Sequence, residues 1–489
     1  MGVFTLAMIN VSAIVSLRGM PAESTYGLSS VFYYIFAAVF FLVPVSLVAA
    51  ELTTGWPQKG GVYRWVGEAF GKKWGFLAIW LQWIESTIWF PTVLTFAAVS
   101  LAFMGPGQRW DEALAANKWY VLIVVLCVYW AATLLNLRGM KTSAGVTKWG
   151  TIIGTIVPGA ILILLGLGYW AGGNPILLDM SWDKLVPDMS NFNNLVLAAS
   201  IFLFYAGMEM SAVHVKDVDN PLAILISAII TVLIFVLGTL AIGFIIPNSQ
   251  INLVQSLLIT YDSYFSFFGL GWMNWILALA LAVGVLAQVT AWVGGPSKGL
   301  YQVGLAGNLP PVMQKRNKNN VQMGILLIQG GIVTLLSIMF VIMPSVQSAY
   351  QIISQLTIIL YLIMYMLMFA SGIYLRYREP NTPRTFRIPG GRTFGMWVVG
   401  GLGLLASLAA FLVSFIPPNQ ITVGSSTMYV LLLVVGTFIF AGIPFIIHAM
   451  AKPSWKRPVD PEDAFEPFGW EKSNGSHSAA TPSHSISHE

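Results

Sequence analysis

The chain is poor in charge and in cysteine. Of its 489 residues, 9% are Asp, Glu, Lys or Arg and 56% are hydrophobic, whereas a soluble domain has roughly 25% charged residues. The mean hydropathy is +0.74. The single cysteine, Cys127, excludes a disulfide framework and a cysteine-based metal site. This balance excludes a soluble protein and is typical of a polytopic membrane protein.

Motifs for catalysis are also missing. The sequence contains no Ser/His/Asp constellation, no metal-ligand spacing and no phosphate-binding loop, so we expect neither an enzyme nor a bound cofactor or metal. The net charge is +5, but the basic residues stand between hydrophobic segments and form no continuous patch. We therefore expect no nucleic-acid partner, and membrane lipid and a small solute remain as partners.

Long apolar segments are abundant. A spanning helix needs roughly 20 apolar residues, and twelve such segments occur, which predicts an all-α membrane protein with twelve transmembrane helices. They cover approximately residues 3–26, 28–54, 75–104, 118–136, 148–171, 192–215, 221–246, 270–294, 322–343, 349–376, 394–416 and 426–449.

The basic residues indicate the orientation, because cytoplasmic loops carry an excess of Lys and Arg. With the amino terminus inside, most of the 25 Lys and Arg residues fall on the cytoplasmic side, while Arg109, Lys118 and Lys184 fall outside and Arg18 lies within the membrane. We therefore predict that both termini are cytoplasmic.

Composition divides the chain into four parts. Residues 1–376 are predicted to form a ten-helix transport core, 377–393 a basic cytoplasmic loop and 394–450 helices eleven and twelve. Residues 451–489 are rich in Pro, Ser and charge and poor in apolar residues, so we predict a disordered cytoplasmic tail.

The first apolar segment contains a charge that lipid would reject. Arg18 stands in Ser16-Leu17-Arg18-Gly19-Met20-Pro21, and broken backbone with charge at membrane depth is tolerated only where it lines a protein-walled cavity. Arg18 is therefore predicted either to bind a substrate carboxylate or to form an ion pair with Glu23, Glu85 or Glu209.

The sixth segment is interrupted in a similar way. Gly207 and Glu209 lie in an apolar run, which Asn220-Pro221 closes. Two broken helices, five helices apart, are typical of a five-plus-five inverted repeat with its binding site between the breaks; the repeats would cover about 3–171 and 192–376. Exposed N–H groups suit a carboxylate and exposed carbonyls an ammonium, so we expect an amino acid. A plain Gly/Pro kink is the alternative for each break.

Several motifs resemble those of amino acid–polyamine–organocation (APC) permeases. They are Glu51, Gly60-Gly61-Val62-Tyr63-Arg64-Trp65-Val66, Gly71-Lys72-Lys73-Trp74-Gly75-Phe76, Gly207-Met208-Glu209-Met210-Ser211-Ala212 and Asn220-Pro221. Three further motifs are more similar to bacterial glutamate/γ-aminobutyrate antiporters. They are Ala287-Gln-Val-Thr-Ala-Trp-Val-Gly-Gly-Pro-Ser-Lys-Gly299, Lys315-Arg-Asn-Lys318-Asn319 and Arg384-Thr-Phe-Arg-Ile-Pro-Gly-Gly391. The resemblance covers residues 3 to about 450.

This resemblance implies a LeuT-type fold of ten core helices plus two, in the bacterial cytoplasmic (inner) membrane. It implies an alternating-access antiporter that exchanges an amino acid, glutamate or similar, for its decarboxylated amine, such as γ-aminobutyrate. Intracellular decarboxylation between import and export removes a cytoplasmic proton. The exchange would therefore be pH-dependent, support acid resistance and depend functionally on a cytoplasmic amino acid decarboxylase.

The resemblance also implies roles for individual residues. Glu209 matches an acid near the substrate or in a proton-sensitive switch, and Trp292 matches an aromatic gate. Arg18 and Gln288 stand where the glutamate/γ-aminobutyrate antiporters have a tyrosine and a glutamate, so this pocket is more positive. The predicted substrate-binding set is Ser16, Arg18, Gly19, Tyr205, Gly207, Glu209, Gln288, Trp292, Tyr361 and Tyr365.

Four residues are predicted to serve proton coupling or gating. Glu209 would act as a switch if buried without a partner; permanent pairing with Arg18 or with backbone N–H groups is the alternative. Glu85 shares a helix face with Gln82 and Ser86 and is predicted either to face the cavity or to form an interhelical hydrogen bond. The set is Glu209, Glu85, Glu23 and His214. For His214 the alternative is an ordinary polar residue at the cytoplasmic edge.

Other functions stay open from sequence alone. A proton- or cation-coupled uptake symporter is one alternative. A sodium site would need Ser/Thr oxygens and carbonyls near helices one and eight, where Thr290 is present without a dense cluster of such groups. An exchanger of another pair, such as tyrosine and tyramine, is a second. A sensor or channel is the third. The tail histidines His477, His484 and His488 allow either a pH-sensitive plug or an ordinary disordered tail.

Overall fold

The computed structural model describes residues 14–187, 195–207, 209, 221–418, 424–457 and 464–472. Ten helices within these ranges are long and apolar enough to cross a membrane. With the shorter helices, the elements in chain order are α1 (Met20–Ser24), α2 (Gly27–Gly55), α3 (Val62–Phe70), α4 (Lys72–Ala102), α5 (Gln108–Ala115), α6 (Lys118–Leu137), α7 (140–171), α8 (Ser200–Phe204), α9 (Pro221–Ile245), α10 (Ser256–Phe267), α11 (Gly271–Leu305), α12 (Met323–Ile342), α13 (Val346–Arg378), α14 (Phe394–Val413) and α15 (Ser426–Ala449).

The ten spans coincide with ten of the twelve predicted segments, and the exceptions are the first and the sixth. In the first, Ser16 is extended (φ −135°, ψ 120°) and precedes a short 3-10 turn, Leu17–Gly19, and α1. In the sixth, α8 ends before Gly207, whose φ is +106°. The predicted discontinuities are therefore confirmed, because the backbone leaves the helical region at both places.

Helix α4 is the centre of the molecule. In the most apolar segment of α4, 94% of the residues are buried inside the protein, compared with 17% in the corresponding segment of α15. A helix that is apolar on all sides is buried by other helices, and α4 packs against α11 and α13. The outer surfaces of α14 and α15 are left for lipid, as is the exposed Cys127 on α6.

One buried carboxylate holds the basic loop against the core. Glu51, near the end of α2, accepts hydrogen bonds from Arg376, from Arg384 at 2.6 Å and from the backbone N–H of Ile388 at 2.8 Å. Arg376 is fully buried and also donates to the carbonyls of Ile388 and Arg392, each at 2.7 Å. We call these residues the basic-face cluster; each of its buried charges has an opposite charge beside it, as buried ions require.

Part of the tail docks on α3. Phe468 is completely buried and lies directly over Gly67, and the backbone N–H of Gly469 donates to Glu68 at 2.9 Å. Arg64 pairs with Glu68 at 3.2 Å and donates to a tail carbonyl at 2.5 Å. Composition predicts disorder for the whole tail, but residues 464–472 differ because their aromatic side chains cover α3.

Candidate functional site

A cavity lies where the two broken segments meet α4, α11 and α13. It encloses about 420 Å³ of empty space, including the part that opens to solvent. Its lining residues are Ile14, Ser16, Arg18, Glu85, Trp89, Leu203, Phe204, Ala206, Gln288, Trp292 and Tyr361.

Helical periodicity delivers most of the polar wall. Side chains four residues apart lie on the same face of a helix, and two helices each place such a pair in the lining. The pairs are Glu85 and Trp89 on α4 and Gln288 and Trp292 on α11, whereas α13 contributes Tyr361 to the lining and places Tyr365 behind it. The rings of Trp89 and Trp292 are 5.7 Å apart between centroids, so aromatic surface joins two of these walls.

Arg18 is buried in the cavity wall without a carboxylate partner. It is 4% exposed, and its Nη1 donates to the Tyr350 hydroxyl at 3.0 Å and more weakly to Thr92 Oγ1 at 3.5 Å. Its guanidinium lies 5.2 Å from the centre of the Trp89 ring, and its Nε has no hydrogen-bond partner. No acidic side chain in the described ranges lies within 4.0 Å of it. The ion pairs that the sequence left open are therefore not formed.

Glu85 is a second buried ionisable side chain without an oppositely charged partner. Its side chain is 2% exposed, and Oε1 has no hydrogen-bond partner. No basic side chain of the described part of the chain lies within 4.0 Å. Its predicted companions turn elsewhere: Gln82 donates to Glu209 at 3.0 Å and Ser86 to the Trp83 carbonyl at 2.8 Å.

Glu209 lies behind the cavity wall and is well satisfied. Its Oε1 accepts from the Tyr361 hydroxyl at 2.5 Å and from Gln82, and its Oε2 accepts from the Tyr365 hydroxyl at 2.5 Å. The backbone N–H of Gly207 also donates to Oε2 at 3.2 Å. Of the two alternatives for this residue, pairing with the backbone of the break is present, and Tyr361 connects Glu209 to the cavity.

Two glycines allow the broken helices to approach their neighbours. Gly207 has φ +106°, and a Cβ there would lie 3.3 Å from the Trp292 ring. This conformation, which side chains rarely adopt, directs the Gly207 N–H toward Glu209. A Cβ at Gly19 would lie 1.9 Å from the Phe204 ring, so Gly19 permits the two breaks to touch.

The structure brings together some of the predicted site residues and separates others. Ser16, Arg18, Gln288, Trp292 and Tyr361 line the cavity, as does Glu85 from the coupling set. Four others lie behind the lining. Gly19 faces Phe204 and Gly207 faces Trp292, while Glu209 accepts from Tyr361 and Tyr365. His214 and the tail histidines His477, His484 and His488 lie outside the described residues.

Two predicted residues do not reach the cavity. Tyr205 is completely buried and donates to the Tyr34 carbonyl at 3.2 Å. Glu23 accepts a hydrogen bond from Ser200 instead of pairing with Arg18, and its Oε2 has no partner. Tyr205 thus faces α2 and Glu23 faces α8, and neither side chain lines the cavity.

Sequence reasoning missed several contributors. Trp89 follows Glu85 by one helical turn, and that spacing alone would have placed it on the same face. Tyr350 and Thr92 support Arg18 from distant parts of the chain, and no local pattern signals such a contact. In the described ranges, no group of three His, Cys, Asp or Glu side chains is arranged to hold a metal ion.

Comparison with known proteins agrees with this architecture. The family model described as amino acid permease matches residues 1–440. An uncharacterised transporter of Legionella pneumophila is 40% identical over 91% of this chain and 96% of its own. A glutamate/γ-aminobutyrate antiporter of Lactococcus lactis is 30% identical over 91% of this chain and 90% of its own. A probable agmatine/putrescine antiporter of the same species is 24% identical over 78% of this chain and 81% of its own.

The apolar helices, the broken segments and the enclosed polar cavity define a multi-pass membrane transporter. The matches to the amino acid permease family cover most of the chain. The chain belongs to this family, within the APC superfamily, and is an amino acid or amine transporter.

Proposed function

We propose that the protein is an alternating-access antiporter that exchanges an amino acid, glutamate or similar, for its decarboxylated amine, such as γ-aminobutyrate. The observation that carries the proposal is the buried, unpaired guanidinium of Arg18 in the cavity between the two breaks. Guanidinium binds carboxylates through two parallel hydrogen bonds. The Lactococcus relative named as a glutamate/γ-aminobutyrate antiporter supports the choice of substrates.

An unpaired buried charge favours exchange over one-way transport. A buried ion without a partner costs several kcal/mol, and a bound carboxylate removes that cost. The empty protein should therefore pass through its closed state much less readily than the loaded protein. An exchanger needs this behaviour, because the site must be refilled before it returns.

The alternatives have weaker support. Sodium coupling would need several oxygen ligands close together near α11, where the sequence offers Thr290 but no dense cluster of such groups. Tyramine and diamines lack a carboxylate, so Arg18 would face them without a partner. A proton-coupled symporter is the remaining alternative, with Glu209, Glu85 and Glu23 as its candidate carriers.

The proposal includes a cellular setting. The protein would lie in the bacterial cytoplasmic membrane with both termini inside, and a cytoplasmic decarboxylase would supply the exported amine. Decarboxylation consumes one proton for each substrate imported, so the cycle would raise cytoplasmic pH under acid stress.

Exchange in proteoliposomes tests the proposal. Vesicles loaded with glutamate or γ-aminobutyrate are expected to take up radiolabelled glutamate, whereas uptake into empty vesicles should stay at background. Both results should be the same with and without a sodium gradient. Arg18→Gln is expected to abolish uptake, whereas Arg378→Gln, which removes an exposed arginine, should not change it. Equal uptake into empty and loaded vesicles would overturn antiport, and no uptake of any amino acid in a panel would overturn transport of this class.

A further inference from the structure

Two opposite charges remain unpaired in one cavity. Arg18 and Glu85 both line it, both are more than nine-tenths buried, and Arg18 Nε and Glu85 Oε1 lack hydrogen-bond partners. They do not pair with each other, since no contact within 4.0 Å joins them. A cavity that holds a cation and an anion apart is complementary to a ligand that carries both charges.

The two charges occupy different levels of α4. Arg18 contacts Thr92 and the Trp89 ring, whereas Glu85 lies seven residues before Thr92. Four residues separate Glu85 from Trp89 and seven separate it from Thr92, roughly 6–10 Å along the axis. The interval suits a ligand whose ammonium and carboxylate are several bonds apart better than one that carries them on a single carbon.

The surroundings reinforce this polarity. Glu209 lies behind Tyr361, whose hydroxyl donates to it. The guanidinium end has Tyr350 and Thr92 as neutral neighbours. The rings of Trp89 and Trp292 line the same cavity and offer apolar surface to the carbon chain of the ligand.

We infer that Glu85 is a specificity-determining residue that binds the ammonium group of the cargo while Arg18 binds its carboxylate. The inference rests on the proposed function and adds a second recognition point to the same site. It assigns Glu85 to substrate recognition, where sequence reasoning offered proton coupling.

This two-point site explains how one cavity serves both directions of exchange. Glutamate and γ-aminobutyrate share an ammonium and a carboxylate joined by the same three-carbon chain, because decarboxylation removes the other carboxylate. Both cargoes therefore present the same pair of charges to Glu85 and Arg18. Diamines and simple amines lack the carboxylate and would place a cation beside Arg18.

A matched ligand series tests the inference by binding. The assay measures how strongly an unlabelled competitor displaces tritiated γ-aminobutyrate or tritiated glutamate from the purified full-length protein. The competitors are γ-aminobutyrate, butyrate, butylamine and 1,4-diaminobutane, which all have four carbons. Loss of one charge-assisted contact should weaken binding by about 10- to 100-fold. Butyrate and butylamine should each show this loss, and 1,4-diaminobutane should bind most weakly.

Two variants should produce a crossover. Glu85→Gln is expected to bind butyrate nearly as well as γ-aminobutyrate, because the ammonium no longer has its partner. Arg18→Gln is expected to bind butylamine nearly as well as γ-aminobutyrate. A structural role for Glu85 would weaken all competitors together. Glu379→Gln, which removes an exposed carboxylate, is the control and should keep the wild-type ratios.

The double variant Arg18→Gln/Glu85→Gln keeps the cavity neutral if a single variant fails to fold. It is expected to fold and to lose discrimination among the four competitors, and retained discrimination would overturn the inference. If the wild type binds neither probe, the proposed function fails and this inference fails with it. If the wild type binds and Glu85→Gln keeps the ratio of γ-aminobutyrate to butyrate, the inference alone is wrong.

Discussion

The basic-face cluster and the cavity both bury charged side chains, but they treat them differently. In the basic-face cluster, Glu51 lies between Arg376 and Arg384 and also accepts a backbone N–H. In the cavity, Arg18 and Glu85 have no counter-ion in the described part of the chain. Burial of charge is thus common to both regions, and pairing distinguishes them.

The difference separates two uses of a buried ion. A fully paired cluster fixes one arrangement of chain segments, here the basic loop against α2 and α13. An unpaired charge in an enclosed space is costly for the ligand-free protein, and it is tolerated where a ligand supplies the missing partner. Stability and binding can therefore be tested separately by changing one region at a time.

Arg376→Gln should have the largest effect on stability. The change leaves Glu51 buried with less of its counter-charge and removes the donors to the basic loop, so the free energy of unfolding is expected to fall by about 3–5 kcal/mol. Thermal unfolding of the purified protein measures this loss, with the exposed Arg378→Gln as control. An unchanged unfolding temperature would show that the paired cluster does not hold the loop.

Gly207→Ala should have the next largest effect. A side chain at φ +106° that also presses on Trp292 is expected to cost roughly 1–3 kcal/mol and to displace the N–H that binds Glu209. Exchange should slow and the unfolding temperature should drop. Gly442→Ala on α15, where a Cβ meets no atom within 4 Å, is the matched control. Equal exchange by both variants would contradict a role for this backbone conformation.

Arg18→Gln should not destabilise the ligand-free protein, in contrast to Arg376→Gln. Because the buried guanidinium has no carboxylate partner, its removal relieves a desolvation cost, and the free energy of unfolding without ligand is expected to stay the same or to rise. Ligand-induced stabilisation should nevertheless disappear, and unfolding with and without glutamate measures both quantities. A large loss of stability without ligand would remove the distinction between the two regions.

Glu68→Gln should have the smallest effect, visible as a change in pH dependence. Burial raises the pKa of Glu68 above its ordinary value of 4.5, so the folded protein holds the proton more tightly than the unfolded chain. This contribution to stability is present below about pH 4.5 and is lost as the pH rises through the folded-state pKa. Between pH 4.5 and 7 the wild type should lose more stability than Glu68→Gln. Parallel unfolding temperatures over this range would contradict the expectation.

The sequence predicted the helical architecture well because its signals are local. Length and hydropathy identify a span without knowledge of its neighbours, and the first and sixth segments reveal their breaks through Arg18, Gly19 and Gly207. The position of the cavity followed from these breaks. The tail segment was missed because composition averages over the few aromatic residues, such as Phe468, that bury themselves against α3.

The pairing of charges was not predictable from the sequence. The sequence allowed ion pairs between Arg18 and Glu23, Glu85 or Glu209. The structure contains none of these three pairs. The actual partners, such as Tyr350 for Arg18 and Tyr365 for Glu209, come from α13 and lie more than 150 residues away along the chain. Such contacts depend on the packing of whole helices, which no local pattern encodes.

The single cysteine offers a practical advantage. Cys127 is exposed on α6, so replacing it by serine should be structurally mild and would leave a chain without thiols. Reactive probes could then be attached at chosen pairs of introduced cysteines on the broken segments and on α4. Spectroscopic distances between such probes would follow the opening and closing of the cavity in a lipid bilayer.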